Sequence, residues 1–206
     1  LARRISRGEP LSEPDLLRTY AEKAEPGLDV IAAPANPDLS RVVAVEHVER
    51  ILATAPHAYK VLVVDVGASL DERALVVLAH ADAVVVPVAP EIAALKAFHG
   101  LLEYLAEDGA VPAKSTFVLN HLFARDMLTM RQIESAIAAR VDAELPYDPG
   151  LYLKAVNEGI PIVRGAPSSG PARALTRLAL QVAGLSADAP VPEAKKGGLL
   201  GGLRRR

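Results

Sequence analysis

Val61-Leu62-Val63-Val64-Asp65 sets four aliphatic side chains in a row and closes them with a carboxylate, with Gly67 two residues on. A strand with one wet face alternates apolar and polar residues. An unbroken apolar run predicts a strand covered on both faces, as in a parallel sheet. Outward from it, toward the C-terminus, strands and helices alternate. A short helix is expected over 71–80, then a second buried strand over 83–88. Glu91 opens a long amphipathic helix with Ile92, Leu95, Phe98, Leu101, Leu102 and Leu105 facing inward. A third buried strand over 115–119 ends at Asn120. Thr129 and Gln132 form a capping-box pattern ahead of Ile133, Ala136 and Ile137. A last short strand at 143–145 runs into Pro146, and a short helix over 151–157 stops at Gly159. Residues 164–171 read as a Gly/Pro/Ser loop, and 172–183 as the last helix.

Toward the N-terminus, Ser40 is expected to cap a helix striped by Val45, Val48, Ile51 and Leu52. Residues 28–33 read as a strand stopped by Pro34. Ser12 and Asp15 resemble a helix start for Leu16, Leu17, Tyr20 and Ala21. The first ten residues are polar, with Arg3, Arg4 and Arg7, and resemble the remnant of a preceding element or a linker. Leu1 in place of a methionine leads us to expect sequence ahead of it. Strands alternating with helices predict an α/β, doubly wound, mostly parallel sheet with helices on both faces, incomplete at its N-terminal edge. Ligands of such sheets sit beyond the C-terminal strand ends. Asp65, Glu91 and Asn120 fall there.

Composition narrows the chemistry. The chain has 206 residues, enough for one domain with a hydrophobic core. Half are hydrophobic but only 4% aromatic, so the core must be built from Ala, Val, Leu and Ile. With no cysteine, disulfides, thiolate metal sites and cysteine nucleophiles are excluded. The formal net charge of -2 gives no bulk pull toward nucleic acid. No apolar run approaches the roughly 20 residues of a membrane span, and no signal peptide is visible. The five histidines show no metal-ligand spacing. Ser168-Ser169-Gly170 lacks the strand-and-turn setting of a nucleophile elbow.

Read on its own form, Asp65 has two readings. It can cap the turn that follows, with Gly67 and Ser69. Alternatively, it can hold Mg²⁺, or the ion's water, beside a phosphate. Asp71 and Glu72 open a helix, where the macrodipole favours acids. Arg125 and Asp126, after Asn120, can line a pocket or pair in solvent.

The wider pattern resembles the MinD/ParA group of P-loop ATPases. The resemblance is carried by 61–65 and Leu70-Asp71-Glu72, then Ala81-Asp82-Ala83-Val84-Val85-Val86-Pro87-Val88 and the helix start at 91–97. It continues through Val118-Leu119-Asn120 and Leu145-Pro146-Tyr147-Asp148, followed by Ala155-Val156-Asn157-Glu158-Gly159-Ile160-Pro161. It runs from about residue 28 to 185. Within the group, 65–71 and the basic Gly/Leu tail look closest to the CpaE/TadZ proteins of Flp (tight-adherence) pilus assembly. The resemblance implies ATP and Mg²⁺ as cofactors, with Asp65 as a Walker B carboxylate serving the metal and its water. It implies that Asn120, Pro146 and Asp148 shape the base pocket. It further implies a homodimer around nucleotide and pilus secretion machinery as partner, in the cytoplasm or peripherally at the inner membrane or cell pole.

The sequence also departs from the group. The phosphate loop, K-G-G-x-G-K-[ST], is absent. Lys196-Gly197-Gly198 is a decoy: Leu199-Leu200-Gly201-Gly202 follows, without lysine, Ser or Thr, and no strand precedes it. Asp65-Val66-Gly67 stands where relatives carry Asp-x-Pro, and His121 where an arginine is common. The chain alone is therefore expected not to hydrolyse ATP. Two alternatives follow: a non-catalytic localisation scaffold, or a ParA-type partitioning ATPase, against which the near-neutral charge argues. The tail, 186–206, is expected to be flexible. Its Lys195, Lys196, Arg204, Arg205 and Arg206 flank Leu199, Leu200 and Leu203. Near anionic lipid each basic residue gains about 1 kcal/mol, but the glycines oppose a helix. A solvated tail and a peripheral membrane contact are the two readings.

Overall fold

The computed structural model describes residues 1–185, apart from Pro26, Ala35, Ser69, residues 108–114 and Asp126, and omits the side chains of Pro37, Leu105 and Glu107. The tail at 186–206, the inward face of Leu105, the turn role of Ser69 and the pairing of Asp126 lie outside the described residues.

The chain opens with α1 (Ala2–Ile5) and α2 (Pro14–Tyr20), then an antiparallel hairpin of β1 (Glu22–Glu25) and β2 (Leu28–Val30). The helices α3 (Pro37–Ser40), α4 (Val45–Ala58) and α5 (Glu72–His80) follow. The second half alternates β3 (Val84–Val88), α6 (Ile92–Glu107), β4 (Ser115–Asn120), α7 (Met130–Ile137) and β5 (Ala143–Leu145). It ends with α8 (Pro149–Glu158), α9 (Ile162–Gly165) and α10 (Gly170–Val182). The strands β3, β4 and β5 form a parallel sheet in that order, with Val86 opposite Phe117 and Leu119 opposite Glu144. Parallel pairing needs a crossover, which α6 and α7 supply.

Two apolar clusters hold the chain. Val88, Leu95, Phe98, Leu119, Ile133 and Ile137 interlock under α6 and α7. Phe98 and Phe117 add an edge-to-face pair with ring centroids 5.5 Å apart. Around α2 and α4, Ile5, Leu11, Leu17, Tyr20 and Ala55 form the second cluster. There the Tyr20 hydroxyl donates to the Pro10 carbonyl at 2.9 Å, and the Arg4 guanidinium lies 4.7 Å from the Tyr20 ring centre. An ion pair between Arg164 of α9 and Glu25 of β1 links the halves.

The expected architecture is present, but the stretch that pointed to it is not a paired strand. Residues 61–65 have no strand partner among the described residues. Val61 and Val63 are 73% and 88% exposed, Leu62 and Val64 44% and 43%. A strand that is apolar on both faces needs a neighbour to complete its ladder and layers to cover it, and among the described residues none pairs with this one. Val63→Lys should therefore change the stability of this chain by no more than about 0.5 kcal/mol. Chemical denaturation checks this; a loss of several kcal/mol would mean the segment is packed. In β3, too, Val85 and Pro87 are exposed instead of buried.

Other boundaries also moved. Ser40 does not cap α4; it closes α3, because the Asn36 side chain accepts the Asp38 N–H at 2.8 Å and starts a short helix earlier. The N-cap of α4 is Ala44, whose N–H is taken by His47 Nδ1 at 3.0 Å. The N-cap position of α2 falls on Glu13, not Ser12, with no side-chain cap bond and with Pro14 at the first helical position. The strand expected over 28–33 ends at Val30, in a hairpin whose first arm is polar. Ile92 is 60% exposed at the start of α6, not inward. Residues 164–171 hold the end of α9 and the start of α10.

Candidate functional site

The C-terminal ends of the parallel strands lie side by side. Val88 stands opposite Leu119, and Asn120 opposite Leu145. Pairing extends one residue further, with the His121 N–H donating to the Leu145 carbonyl at 3.1 Å. Half-buried Asn120 thus ends its strand beside the residue that precedes Pro146. The Pro146 ring lies against the start of α10: a Cβ on Gly170 would stand 3.6 Å from its Cγ.

Asp148 has a defined structural task. Its Oδ1 accepts the Leu151 N–H at 3.1 Å and caps α8, with Pro149 at the first helical position. Gly159 closes the helix at φ +64, a conformation that favours glycine. The Tyr152 hydroxyl donates back to the Pro146 carbonyl at 3.4 Å. Burial, reinforced by the charge of Asp148, pushes its phenol above the ordinary 10.0. The phenol therefore stays protonated, and able to donate, through neutral and moderately alkaline pH. At the start of α10, the Ser169 hydroxyl accepts the Ala172 N–H at 3.2 Å.

Sequence reading places His121 after Asn120 but misses its partner. His121 Nε2 lies 2.8 Å from Glu144 Oε2, across β4 and β5. The signal was available: in register, Glu144 faces Leu119, one step from the strand end that carries His121. Tyr152 goes unnoticed because the helix expected over 151–157 does not reveal the turn that its hydroxyl reaches back to.

Asp65 stands apart. It is exposed on the 61–67 segment, and its Oδ1 accepts the Gly67 N–H at 2.9 Å. Gly67 sits at φ +70, which a side chain would strain. So the turn-capping reading of Asp65 is realised. Among the described residues no hydrogen bond or ion pair joins it to Asn120, Pro146 or Asp148. Glu91, the third polar marker, is exposed ahead of α6, its carbonyl accepting the Leu95 N–H at 2.9 Å.

The donor set limits what can bind. Among the described residues no three His, Cys, Asp or Glu converge as a metal cage. That fits Mg²⁺ only in its usual protein mode, with one or two carboxylates supplemented by water and ligand phosphates. The bond to Gly67 uses part of the acceptor capacity of Asp65, and a carboxylate has about four lone-pair sites. Asn120 carries an amide, and Pro146 an apolar ring. Two hollows are lined by neither Asn120 nor Pro146. One of about 370 Å³, between β5 and α10, is lined by Asp142, Glu144, Arg177 and Gln181. One of about 690 Å³ is lined by Ser40, Arg41, Val43, Asp71, Glu72 and Arg73. Geometry at the strand ends weighs more than hollow size in locating the site, because the fold places ligands there. No helix among the described residues is long and apolar enough to cross a membrane.

No family model matches the chain, and no curated protein does. Solved structures do. The chain is similar to a ParA family ATPase from Chlorobium tepidum, at 24% identity with a TM-score of 0.76, covering 87% of this chain and 72% of that one. It is similar to the cell division ATPase MinD of Pyrococcus furiosus, at 18% identity with a TM-score of 0.72, covering 90% and 76%. The septum site-determining protein MinD of Pyrococcus horikoshii, solved with Mg-ADP, matches at 21% identity with a TM-score of 0.61, covering 72% and 60%. The fold is that of the MinD/ParA ATPases.

Proposed function

We propose that this chain is the C-terminal part of a MinD/ParA-like ATPase of the CpaE/TadZ type, which positions Flp pilus secretion machinery. The observation that carries the reading is the strand-end corner of Asn120, Leu145 and Pro146 on this fold. Asn120 and Pro146 would contact the base, with Asp148 holding α8 beside them. Asp65 would serve Mg²⁺ and its water. The bound ion would offset phosphate charge; the phosphates themselves need a loop that these 206 residues do not contain. The assembled protein would dimerise around nucleotide, in the cytoplasm or peripherally at the inner membrane or cell pole, with the basic tail as the lipid contact.

One observation favours the scaffold reading instead. Asp65 already commits an oxygen to its own turn, in a segment without a strand partner among the described residues. The product of the native gene separates the two. An ATPase should bind Mg-ATP, measured by titration calorimetry, and run as a dimer only with nucleotide. A scaffold should do neither and still localise the pilus machinery. The 206-residue chain should release no phosphate from ATP above blank; hydrolysis by it would overturn the assignment of the missing loop.

A further inference from the structure

A cation at a helix start opposes the macrodipole, yet Arg73 occupies the second position of α5. Its surroundings account for the placement. Nε donates to Asp71 Oδ2 at 2.9 Å, and Nη2 reaches the same oxygen. Nη1 points the other way, 3.3 Å from the Ser40 carbonyl and, at the limit of a hydrogen bond, 3.5 Å from that of Val43. Asp71 is divided in the same manner. Its Oδ1 accepts the Ala74 N–H at 3.0 Å and caps α5, which leaves Oδ2 for the arginine. The guanidinium holds the Asp71 carboxyl below its ordinary range. Two local bonds are thus in place on this stretch, the Gly67 N–H on Asp65 and the Arg73 guanidinium on Asp71.

We propose that Arg73 is a positioning residue: its planar fork clamps the loop that follows Asp65 to the turn between α3 and α4. The clamp sets where the Asp65 carboxylate stands, and it couples that carboxylate to movements of the α4 start. The proposal rests on the reading of Asp65 as the site's metal-side carboxylate. Lysine cannot replace the arginine in both directions, because an ammonium is a point charge and not a two-sided fork. The hollow of about 690 Å³ beside the clamp gives the turn room to move when it is released.

The test is amide NMR on the 206-residue chain with Arg73→Met, Arg73→Lys, Asp71→Asn and the double variant Asp71→Asn with Arg73→Met. Arg73→Met should shift the Gly67 amide and those of residues 41–45, and speed exchange at 41–45 about tenfold. Arg73→Lys should restore Gly67 but not 41–45. Adding Arg73→Met to Asp71→Asn should move Gly67 no further, because the two act as one unit. Shifts confined to residues 72–76, or additive effects on Gly67, would overturn the clamp. If Arg73→Met does not fold, Arg73→Lys and Asp71→Asn still decide by the 41–45 and Gly67 amides. None of these readouts involves nucleotide. Should Asp65 prove unrelated to nucleotide while these shifts appear, the functional reading fails and the clamp stands.

Discussion

Ile137→Ala should destabilise the chain by about 3–5 kcal/mol, the upper part of the range for deleting a buried aliphatic side chain. Ile137 has 0% of its surface exposed. It is the last residue of α7 and packs with Ile133 against Val88, Leu95, Phe98 and Leu119. The cost falls in the upper part because the site cannot collapse. The β3–β4 ladder fixes one wall, and α6, held by Phe98 on Phe117, fixes another. The α7 backbone cannot drop into the space either. Its end is set by Ala138 in the left-handed region at φ +53, and its start by the reciprocal bonds of Thr129 and Gln132. Domains of this size are stable by roughly 5–15 kcal/mol, so the variant loses a large share. Urea denaturation should show a lower midpoint at unchanged slope. A loss under about 1 kcal/mol would mean that α7 is not seated on the sheet. Leu17→Ala, in the separate cluster on α2, should cost a similar amount without coupling to it, since the clusters share no residue.

The parts of the fold legible in the sequence are those whose signal is local. The Thr129 and Gln132 box, the Gly159 stop and the Asp71 cap are short-range hydrogen-bond patterns, and each appears where its residues stand. The β4 strand was legible because its apolar run is covered on both faces, with Val118 and Leu119 buried. The same reasoning misled at 61–65. An apolar run encodes a demand for cover but not whether cover is supplied, which depends on chain far away. The β1 strand was illegible for the opposite reason: Glu22-Lys23-Ala24-Glu25 has no apolar periodicity and pairs through its backbone. At 164–171, Gly170 and Pro171 read as loop residues, but with Ser169 ahead of them they are a helix start.

Of the candidate residues, Asn120 is read from a strand end and Pro146 from the family resemblance, and register sets Asn120 beside Leu145, the residue before Pro146. Their relation to Asp65 does not follow, because nothing local joins the 61–67 segment to the β4 and β5 ends. The contacts of Arg73 were beyond sequence reading too. Its carbonyl partner on Ser40 is 33 residues away, and backbone carbonyls carry no residue signature.

Asp65→Asn should separate the turn bond of that carboxylate from the magnesium role proposed for it, in the product of the native gene. The amide keeps an oxygen where Oδ1 accepts the Gly67 N–H, so the turn survives and stability should change by less than about 0.5 kcal/mol. The negative charge is lost, and Mg²⁺ binds carboxylate and phosphate oxygens far better than an amide. Losing even an outer-shell partner of a metal site costs roughly 10–100-fold, and a group on the ion or its water should cost at least that. Magnesium-dependent ATP affinity should therefore fall by about two orders of magnitude, while nucleotide binding without Mg²⁺ stays unchanged. Asp65→Ala supplies the contrast. It should lose the magnesium effect equally and lose the turn as well, at about 1 kcal/mol for the hydrogen bond. Calorimetric titration of ATP with and without Mg²⁺, beside denaturation of each variant, reads both quantities. If Asp65→Asn leaves the magnesium dependence intact, the carboxylate belongs only to its turn, and the protein is a scaffold in which this residue holds a loop.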